Sequence, residues 1–284
     1  EMVDLANHMF ETGQHYSAYE LLTKLIARVD LGGRRIIKKF LYAYLHLITG
    51  KVKMQSGIIR GNQSALAHID LGYDILKKYE EHEHLRAAIS IKGHVQRQLN
   101  QNNEAKKTFE DISKLADTFT SQKRMDVLHN TEHQLALTLT QKHRELEGRT
   151  DVYIKQALQL MQKSNAYFET QENHTYWHQF SLIREAEILL TQGKLQVAGN
   201  ILDHFGRLEN VLLLDVAKQV ILLRLRCSWH IQSDRVIDAV NDFNTAHKLA
   251  SRNQFHKELM SLKLLFFKYE NLRRLLPNDL YASL

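Results

Sequence analysis

Histidine pairs are the most suggestive chemical feature of the sequence. His129–His133 reads His-Asn-Thr-Glu-His, which formally matches the H-x-x-E-H arrangement of some zinc peptidases. On a helix His129 and His133 share one face, as two metal ligands must, and His174 and His178 repeat this spacing. However, 16 histidines in 284 residues give about one such pair by chance, and no third ligand is identifiable. We therefore interpret these residues as exposed helical histidines and expect no metal site.

Two further clusters carry little catalytic potential. The run 81–84 reads Glu-His-Glu-His and could hold a cation, but it falls where two helix pairs should meet, so we interpret it as a solvated turn. Cys227 is the single cysteine, and His230 is only a formal activating base for it. A small buried thiol is the simpler interpretation. Because phosphate-cradling and dinucleotide-binding glycine motifs are also absent, the sequence predicts no enzyme and no cofactor.

The elements that carry these residues are predicted to be helices throughout. Proline occurs once, at Pro277, whereas average usage of about 5% predicts roughly a dozen. The apolar content of 44% is enough for a substantial core. Apolar runs such as 220–223 fall far short of the roughly 20 residues of a membrane span, and no signal peptide is visible. With one cysteine and no disulfide, we expect a soluble cytoplasmic protein that does not enter a membrane.

The charge balance is mildly basic. The formal net charge is +6, from 38 basic and 32 acidic side chains that are interleaved along most of the chain. This balance favours acidic partners slightly. Because no nucleic-acid-binding motif accompanies it, we expect no direct nucleic-acid binding by this segment.

An internal repeat organises the chain. After each predicted turn a helix carries a small residue, a large residue four places on, and a further core position three places later. The small residue is needed because two antiparallel helices pack closely only where one crossing position lacks a bulky side chain. The copies are Ala18, Leu22 and Leu25; Ala67, Leu71 and Asp74; Ala105, Phe109 and Ile112; Ala157, Met161 and Ser164; Ala198, Leu202 and Phe205; and Ala239, Phe243 and Ala246.

This pattern resembles the tetratricopeptide repeat. Gly13 with Ala18 and Gly193 with Ala198 match its Gly-x-Tyr-x-x-Ala motif in part, and Gly93 matches its first-helix glycine. The usual spacing is 34 residues, whereas Ala157, Ala198 and Ala239 lie 41 apart. Long, degenerate units of this kind are similar to those of bacterial sensor proteins, namely cytoplasmic receptors for signalling peptides and ATP-dependent transcription activators.

The resemblance implies an all-α, right-handed α-solenoid. We expect about six helix hairpins and a capping helix from about Gln254 to Leu276, forming one domain over 1–284 in which each pair buries its apolar stripe against its neighbours. Two long polar connections are predicted, at 50–63 and 142–150. The first residue, Glu1, suggests a fragment of a longer protein.

In the resembled family the first helix of each pair lines a concave groove. The family's groove positions fall on Asn7, Phe10, Phe40, Tyr44, His94, Arg97, Arg184, Glu187, Arg224 and Ser228. Arginine recurring at this face could bind a peptide carboxylate through paired hydrogen bonds. The alternative is that these arginines are solvated or pair with neighbours such as Glu185 and Glu187.

These observations predict a domain that binds a peptide or a protein and acts as the sensor or interaction part of a regulator, with transcriptional control as one role. One alternative is a small-molecule-sensing superhelical domain of an ATP-dependent transcription activator, which would require a closed apolar pocket. Another is a structural scaffold or dimerisation module. The apolar run 264–267 cannot all face inward, so a homodimer through the C-terminal helix is a further prediction.

Overall fold

Every element of the described chain is helical. The computed structural model describes residues 5, 9, 15–30, 36–55, 64–78, 82–171, 175–205, 214–253 and 255–276, and this part of the chain contains no strand. None of its helices has the length and apolar character needed to cross a membrane. The helices are α1 (His15–Asp30), α2 (Ile36–Gln55), α3 (Ala65–Lys77), α4 (His82–Gln98), α5 (Asn102–Leu115), α6 (Ser121–Glu145), α7 (Val152–Glu169), α8 (Thr175–Thr191), α9 (Leu195–His204), α10 (Val216–Gln232), α11 (Val236–Arg252), α12 (His256–Lys268) and α13 (Glu270–Leu275).

The chain forms two compact units. Unit 1 covers Glu1–Arg149 with α1 to α6, and unit 2 covers Thr150–Leu284 with α7 to α13. Within unit 1 the pairs α2–α3 and α4–α5 pack together, and within unit 2 the pairs α8–α9 and α10–α11 do so. The expectation of a single domain over 1–284 stays a prediction.

The α4–α5 pair shows why the repeat needs small residues. Ala105 and Phe109 on α5 are fully buried, and Ile112 is buried beside them. A Cβ atom added to Gly93 on α4 would lie 2.6 Å from the Phe109 ring. The bare glycine therefore lets the phenyl ring seat directly on the α4 backbone, as ridge-into-groove packing requires.

One copy of the repeat was placed in the wrong register. Ala67, Leu71 and Asp74 are exposed, whereas Ala65, Ile69 and Gly72 are buried with the same spacing two residues earlier. The cause is the helix start: the Ser64 hydroxyl accepts a hydrogen bond from the Ala67 amide at 3.2 Å, so α3 begins at Ala65.

The remaining copies lie in the core as predicted. Ala18 and Leu22 are fully buried in unit 1, and Leu25 packs against them. In unit 2 the three copies, on α7, α9 and α11, are all buried: Ala157, Met161 and Ser164; Ala198, Leu202 and Phe205; and Ala239, Phe243 and Ala246. Gly199 on α9 allows a similar close approach by α10 of the next pair, since an added Cβ would lie 2.5 Å from the Trp229 ring.

Both predicted long connections are partly helical. Residues 50–55 complete α2, and the rest of the first connection, 56–63, lies outside the described residues. Residues 142–145 complete α6, so the second connection is reduced to 146–151. Glu147 and Gly148 adopt positive φ angles of 51° and 72° there, a conformation that ends a helix and that glycine adopts without strain.

The predicted capping helix is two helices. Tyr269 has an extended conformation with φ −116° and ψ 108°, which separates α12 from α13. Leu262, Leu265 and Phe266 on α12 are buried in the same cluster as Leu272 on α13. The break lets both short helices pack against the α10 and α11 residues of that cluster.

The glycine contact makes a stability prediction. Gly93→Ala should lower the free energy of unfolding by about 1–3 kcal/mol through overpacking against Phe109. The opposite sign is expected from helix propensity alone, which favours alanine by about 1 kcal/mol. Urea unfolding followed by circular dichroism measures the difference. As a control, Phe109→Leu should cost less in the Gly93→Ala background than in the wild type, and strictly additive costs would contradict the contact.

Candidate functional site

The first helices of successive pairs contact one another in unit 2. Helix α10 touches α8 on one side and α12 on the other. Polar side chains line this contact: Arg184 and Glu187 on α8, Arg224 and Ser228 on α10, and Glu258 on α12. We call these five residues the unit 2 face. The sequence predicted four of them, and Glu258 is an addition.

Ion pairs between arginine and glutamate side chains connect the charged residues of the unit 2 face. Glu187 Oε2 lies 2.6 Å from a guanidinium nitrogen of Arg184, and Glu187 Oε1 lies 3.6 Å from one of Arg224. The Arg224 Nε atom lies 3.9 Å from Glu258. The Glu187 side chain is only 7% exposed, so these charges are largely out of water. The face therefore ties three helices together through partly desolvated ion pairs.

The alternative interpretation of the sequence is that the arginines pair with neighbouring carboxylates. The geometry shows this pairing for Glu187. It does not involve Glu185, whose carboxylate instead accepts hydrogen bonds from Asn165 at 2.5 Å and Gln162 at 3.0 Å. An acidic ligand group reaching Arg184 or Arg224 would have to compete with carboxylates already in place.

An aromatic ring adjoins this face. Phe180 lies one turn before Arg184, and the Arg184 guanidinium sits 5.0 Å from its centroid while the Lys218 ammonium sits 5.1 Å from it. Lys218 also pairs with Asp215, which caps the start of α10. Burial lowers the pKa of Lys218 to about 8. The Phe180 ring thus makes cation–π contacts with both Arg184 and Lys218, and this arrangement favours a desolvated, preorganised surface.

Ser228 extends the face toward the C-terminal helices. Its hydroxyl lies 3.5 Å from the Tyr269 hydroxyl, and Gln232 donates to both its hydroxyl and carbonyl oxygens at 3.1 Å. The helix break at Tyr269 is thereby joined to the middle of α10. The sequence pattern does not indicate Tyr269, because the approach of this residue to Ser228 depends on an interruption of the helix.

Among the described residues, the corresponding surface in unit 1 carries amide side chains. Arg97 on α4 donates to the side chain of Gln134 on α6 at 3.2 Å and lies 3.0 Å from His94 Nδ1. Gln141 on α6 donates to the Arg97 carbonyl at 2.9 Å and to Asn100 at 2.8 Å. His94 and Arg97 therefore lie together at the α4–α6 contact, and their assignment to a binding groove stays a prediction.

Of the other four predicted residues, the structure describes only the side chain of Tyr44. Tyr44 packs against the buried cluster that contains Leu22 of α1 and Leu45 of α2. Phe40 lies in α2, but its side chain is outside the described part, and Asn7 and Phe10 lie outside it altogether. Their assignment to a binding groove stays a prediction.

A buried basic cluster in unit 1 was missed. His46 on α2 and His68 on α3 join through their Nδ1 atoms at 2.7 Å, and Lys53 on α2 is only 1% exposed. Burial, with Lys53 and His46 nearby, lowers the pKa of His68 to about 4. His68 is therefore neutral at pH 7, and a neutral imidazole can either donate or accept in the bond to His46.

The first pair of histidines singled out for metal chemistry lies in the interior. His129 and His133 are 6% and 1% exposed, so their interpretation as exposed residues was wrong. His129 Nδ1 lies 2.7 Å from Glu132, which accounts for a buried imidazole without a metal. Among the described residues no three potential ligands come together. His178 is half-buried, and His174 lies outside the described residues.

Two other interpretations are now decided. Residues 82–84 are the first residues of α4 and not a turn, whereas residue 81 lies outside the described part. Cys227 is fully buried, and burial raises the pKa of its thiol, which is the reverse of what activates a nucleophile. Burial also lowers the pKa of His230 to about 4, and its Nε2 atom faces Asp242 at 3.4 Å.

Structural comparison places this arrangement among known folds. NprR in complex with its cognate peptide NprX superimposes with a TM-score of 0.70 at 14% identity, over 99% of this chain and 75% of that one. A Rap protein complexed with Competence and Sporulation Factor gives 0.60 at 12% identity, over 89% and 75%. A tetratricopeptide repeat protein from Parabacteroides merdae gives 0.44 at 13% identity, over 93% and 98%.

Comparison with known families and with curated proteins finds no match. The structural likeness shows the fold. The chain has a tetratricopeptide-like, all-α helical-repeat fold, and the predicted fold class is confirmed.

The shared carboxylate should matter for stability. Glu187→Gln leaves two partly buried guanidinium groups short of a charge and should lower the free energy of unfolding by about 3 kcal/mol. Glu270→Gln is the matched control, because Glu270 pairs with Arg274 at 2.6 Å on an exposed surface and should cost less than about 0.5 kcal/mol. Urea unfolding of both variants measures this, and equal costs would show that the unit 2 face is not a structural network.

Proposed function

We propose that this chain is a non-catalytic peptide- or protein-binding domain that acts as the sensor or interaction part of a regulator. The observation that supports this most is the likeness over 99% of the chain to NprR, which was solved with its cognate peptide bound. The same fold thus holds a peptide in another protein. A role in transcriptional regulation and a cytoplasmic location belong to this proposal, as does the absence of direct nucleic-acid and membrane binding.

The polar unit 2 face suits an extended peptide better than a small apolar ligand. A peptide backbone presents donors and acceptors at regular intervals, and amide, hydroxyl and charged side chains on adjacent helices can meet them. Gln232 and Ser228 offer such groups beside Arg224. A small-molecule sensor would instead need a closed pocket with mostly apolar walls.

Binding at this face would be felt by several helices. A ligand carboxylate that pairs with Arg224 competes with Glu187 on α8 and with Glu258 on α12. The ion pairs between neighbouring first helices would then be redistributed. A regulator can use such a shift between two arrangements of packed helices to report ligand binding.

Two arginines on α10 provide a matched test. Arg224 lies on the unit 2 face, whereas Arg226 pairs with Asp242 on α11 at 3.3 Å, and the two side chains are 18% and 20% exposed. For peptides selected from a random display library on the intact chain, Arg224→Gln should weaken binding at least tenfold, as expected for a charge-assisted hydrogen bond. Arg226→Gln should leave the affinity unchanged in calorimetry. Equal affinities in all three proteins would remove Arg224 from the site, and a library without binders would contradict the proposed function.

The C-terminal surface supports a second proposal, a homodimer. Met260, Leu264 and Phe267 are 58%, 68% and 43% exposed on α12, and their spacing puts them along one stripe. Leu265 and Phe266 are buried, so the expected division of the apolar run is confirmed. An exposed apolar stripe of this kind favours self-association.

Light scattering tests the dimer directly. The wild type should have twice the chain mass at tens of micromolar, and Leu264→Glu should restore a monomer, because a buried carboxylate would oppose the apolar contact. Ile237→Glu is the control, since Ile237 is 76% exposed on α11. A monomeric wild type would dismiss the homodimer without affecting peptide binding.

A further inference from the structure

Arg86 on α4 stands apart from the other half-buried arginines. Arg97, Arg184, Arg224 and Arg226 each contact a neighbouring side chain or carboxylate. Arg86 is half-buried, its Nε atom is shielded from solvent, and within the described part of the chain it has no ion pair and no hydrogen bond. Burial lowers the pKa of its guanidinium. The Nε–H group of this cation has lost hydration, and the guanidinium has gained no partner among the described residues.

This loss has a direct chemical consequence. Removing water from a charged group is unfavourable unless an opposite charge or hydrogen-bond acceptors replace it. The guanidinium offers five N–H donors in a planar fork that matches a carboxylate or a phosphate. A half-buried guanidinium without an ion pair or a hydrogen bond therefore marks a place where an external anion, bound at its terminal nitrogens, would be stabilised.

The position of Arg86 on its helix connects it to the unit 1 surface. Arg86, Ser90 and Arg97 lie along one line of α4, because steps of four and seven residues return to the same side of a helix. Arg97 bonds to Gln134, so this line faces toward α6. Arg86 and Arg97 are separated by about 16 Å along the helix axis at 1.5 Å per residue, too far to hold one anion together.

The described arginines of the two units therefore differ in whether a carboxylate of the chain already pairs with them. On the unit 2 face Arg184 and Arg224 share the carboxylate of Glu187. On α4 the arginine nearest the helix start has no carboxylate beside it in the described structure. An incoming acid would have to displace a carboxylate in unit 2 but not at Arg86.

We propose that Arg86 is the carboxylate-binding residue of unit 1, taking an acidic side chain or the C-terminal carboxylate of a peptide. Ser90, one turn further along α4, is placed to donate a second hydrogen bond to the same group. The proposal rests on the proposed function for the identity of the molecule that carries the carboxylate, but not for the anion site itself.

Acetate is the simplest probe of the site. The intact chain is titrated at pH 7 with sodium acetate, with sodium chloride at equal ionic strength as reference, and the arginine Nε–H signals are followed by nuclear magnetic resonance. The Arg86 signal is identified by its loss in Arg86→Gln. It should shift saturably with acetate and not with chloride, and Arg184→Gln should leave this titration unchanged. A signal for Arg86 that moves equally in both salts would overturn the proposal.

A peptide experiment then identifies the carrier. For a peptide selected on the intact chain, each carboxylate is replaced in turn by its amide. One replacement should weaken binding to the wild type at least tenfold and have no effect on binding to Arg86→Gln. Acetate binding at Arg86 without any peptide binder would keep the anion site and refute the proposed function. Peptide binding in which no carboxylate couples to Arg86 would refute the assignment made here.

Discussion

Close approach of two helices at one small residue is the contact on which the rest of this structure depends. Gly93 lets the Phe109 ring rest on α4, and Gly199 lets the Trp229 ring rest on α9. The first of these contacts lies within a helix pair and the second lies between one pair and the next, and the first helices of successive pairs also contact each other. Polar side chains on neighbouring first helices then come within ion-pair distance of each other. A bulky residue at such a crossing would push the helices apart. It would thereby disturb the polar side chains without contacting them.

The two units use that proximity differently. In unit 2 the mostly buried side chains of Arg184, Glu187 and Arg224 form ion pairs with one another. These ion pairs stabilise the helix contacts, and the same residues form the proposed ligand surface. In unit 1 the side-chain amide of Gln134 accepts a hydrogen bond from Arg97, and Arg86 has no partner among the described residues. A fold built from repeated pairs can thus vary its recognition chemistry without altering its core.

The sequence predicts the core of this protein better than its surface. Steric demand makes Ala105 and Phe109 recognisable from spacing alone, and both are fully buried. The register error at Ala67 arose because Ser64 starts α3 at Ala65, a local hydrogen bond that periodicity does not report. The pairing of Glu187 with arginines on two helices, and the approach of Tyr269 to Ser228, depend on distances between separate helices. Such distances follow from packing and not from residue type.

Hydrogen–deuterium exchange of the intact chain, with and without a selected peptide, tests the central claim most directly. If ligands bind the side chains that neighbouring first helices bring together, peptide should slow amide exchange in α4 and α6 or in α8, α10 and α12, because added contacts reduce local opening. The second helices α5, α9 and α11 should change much less. Protection confined to the second helices would contradict the account.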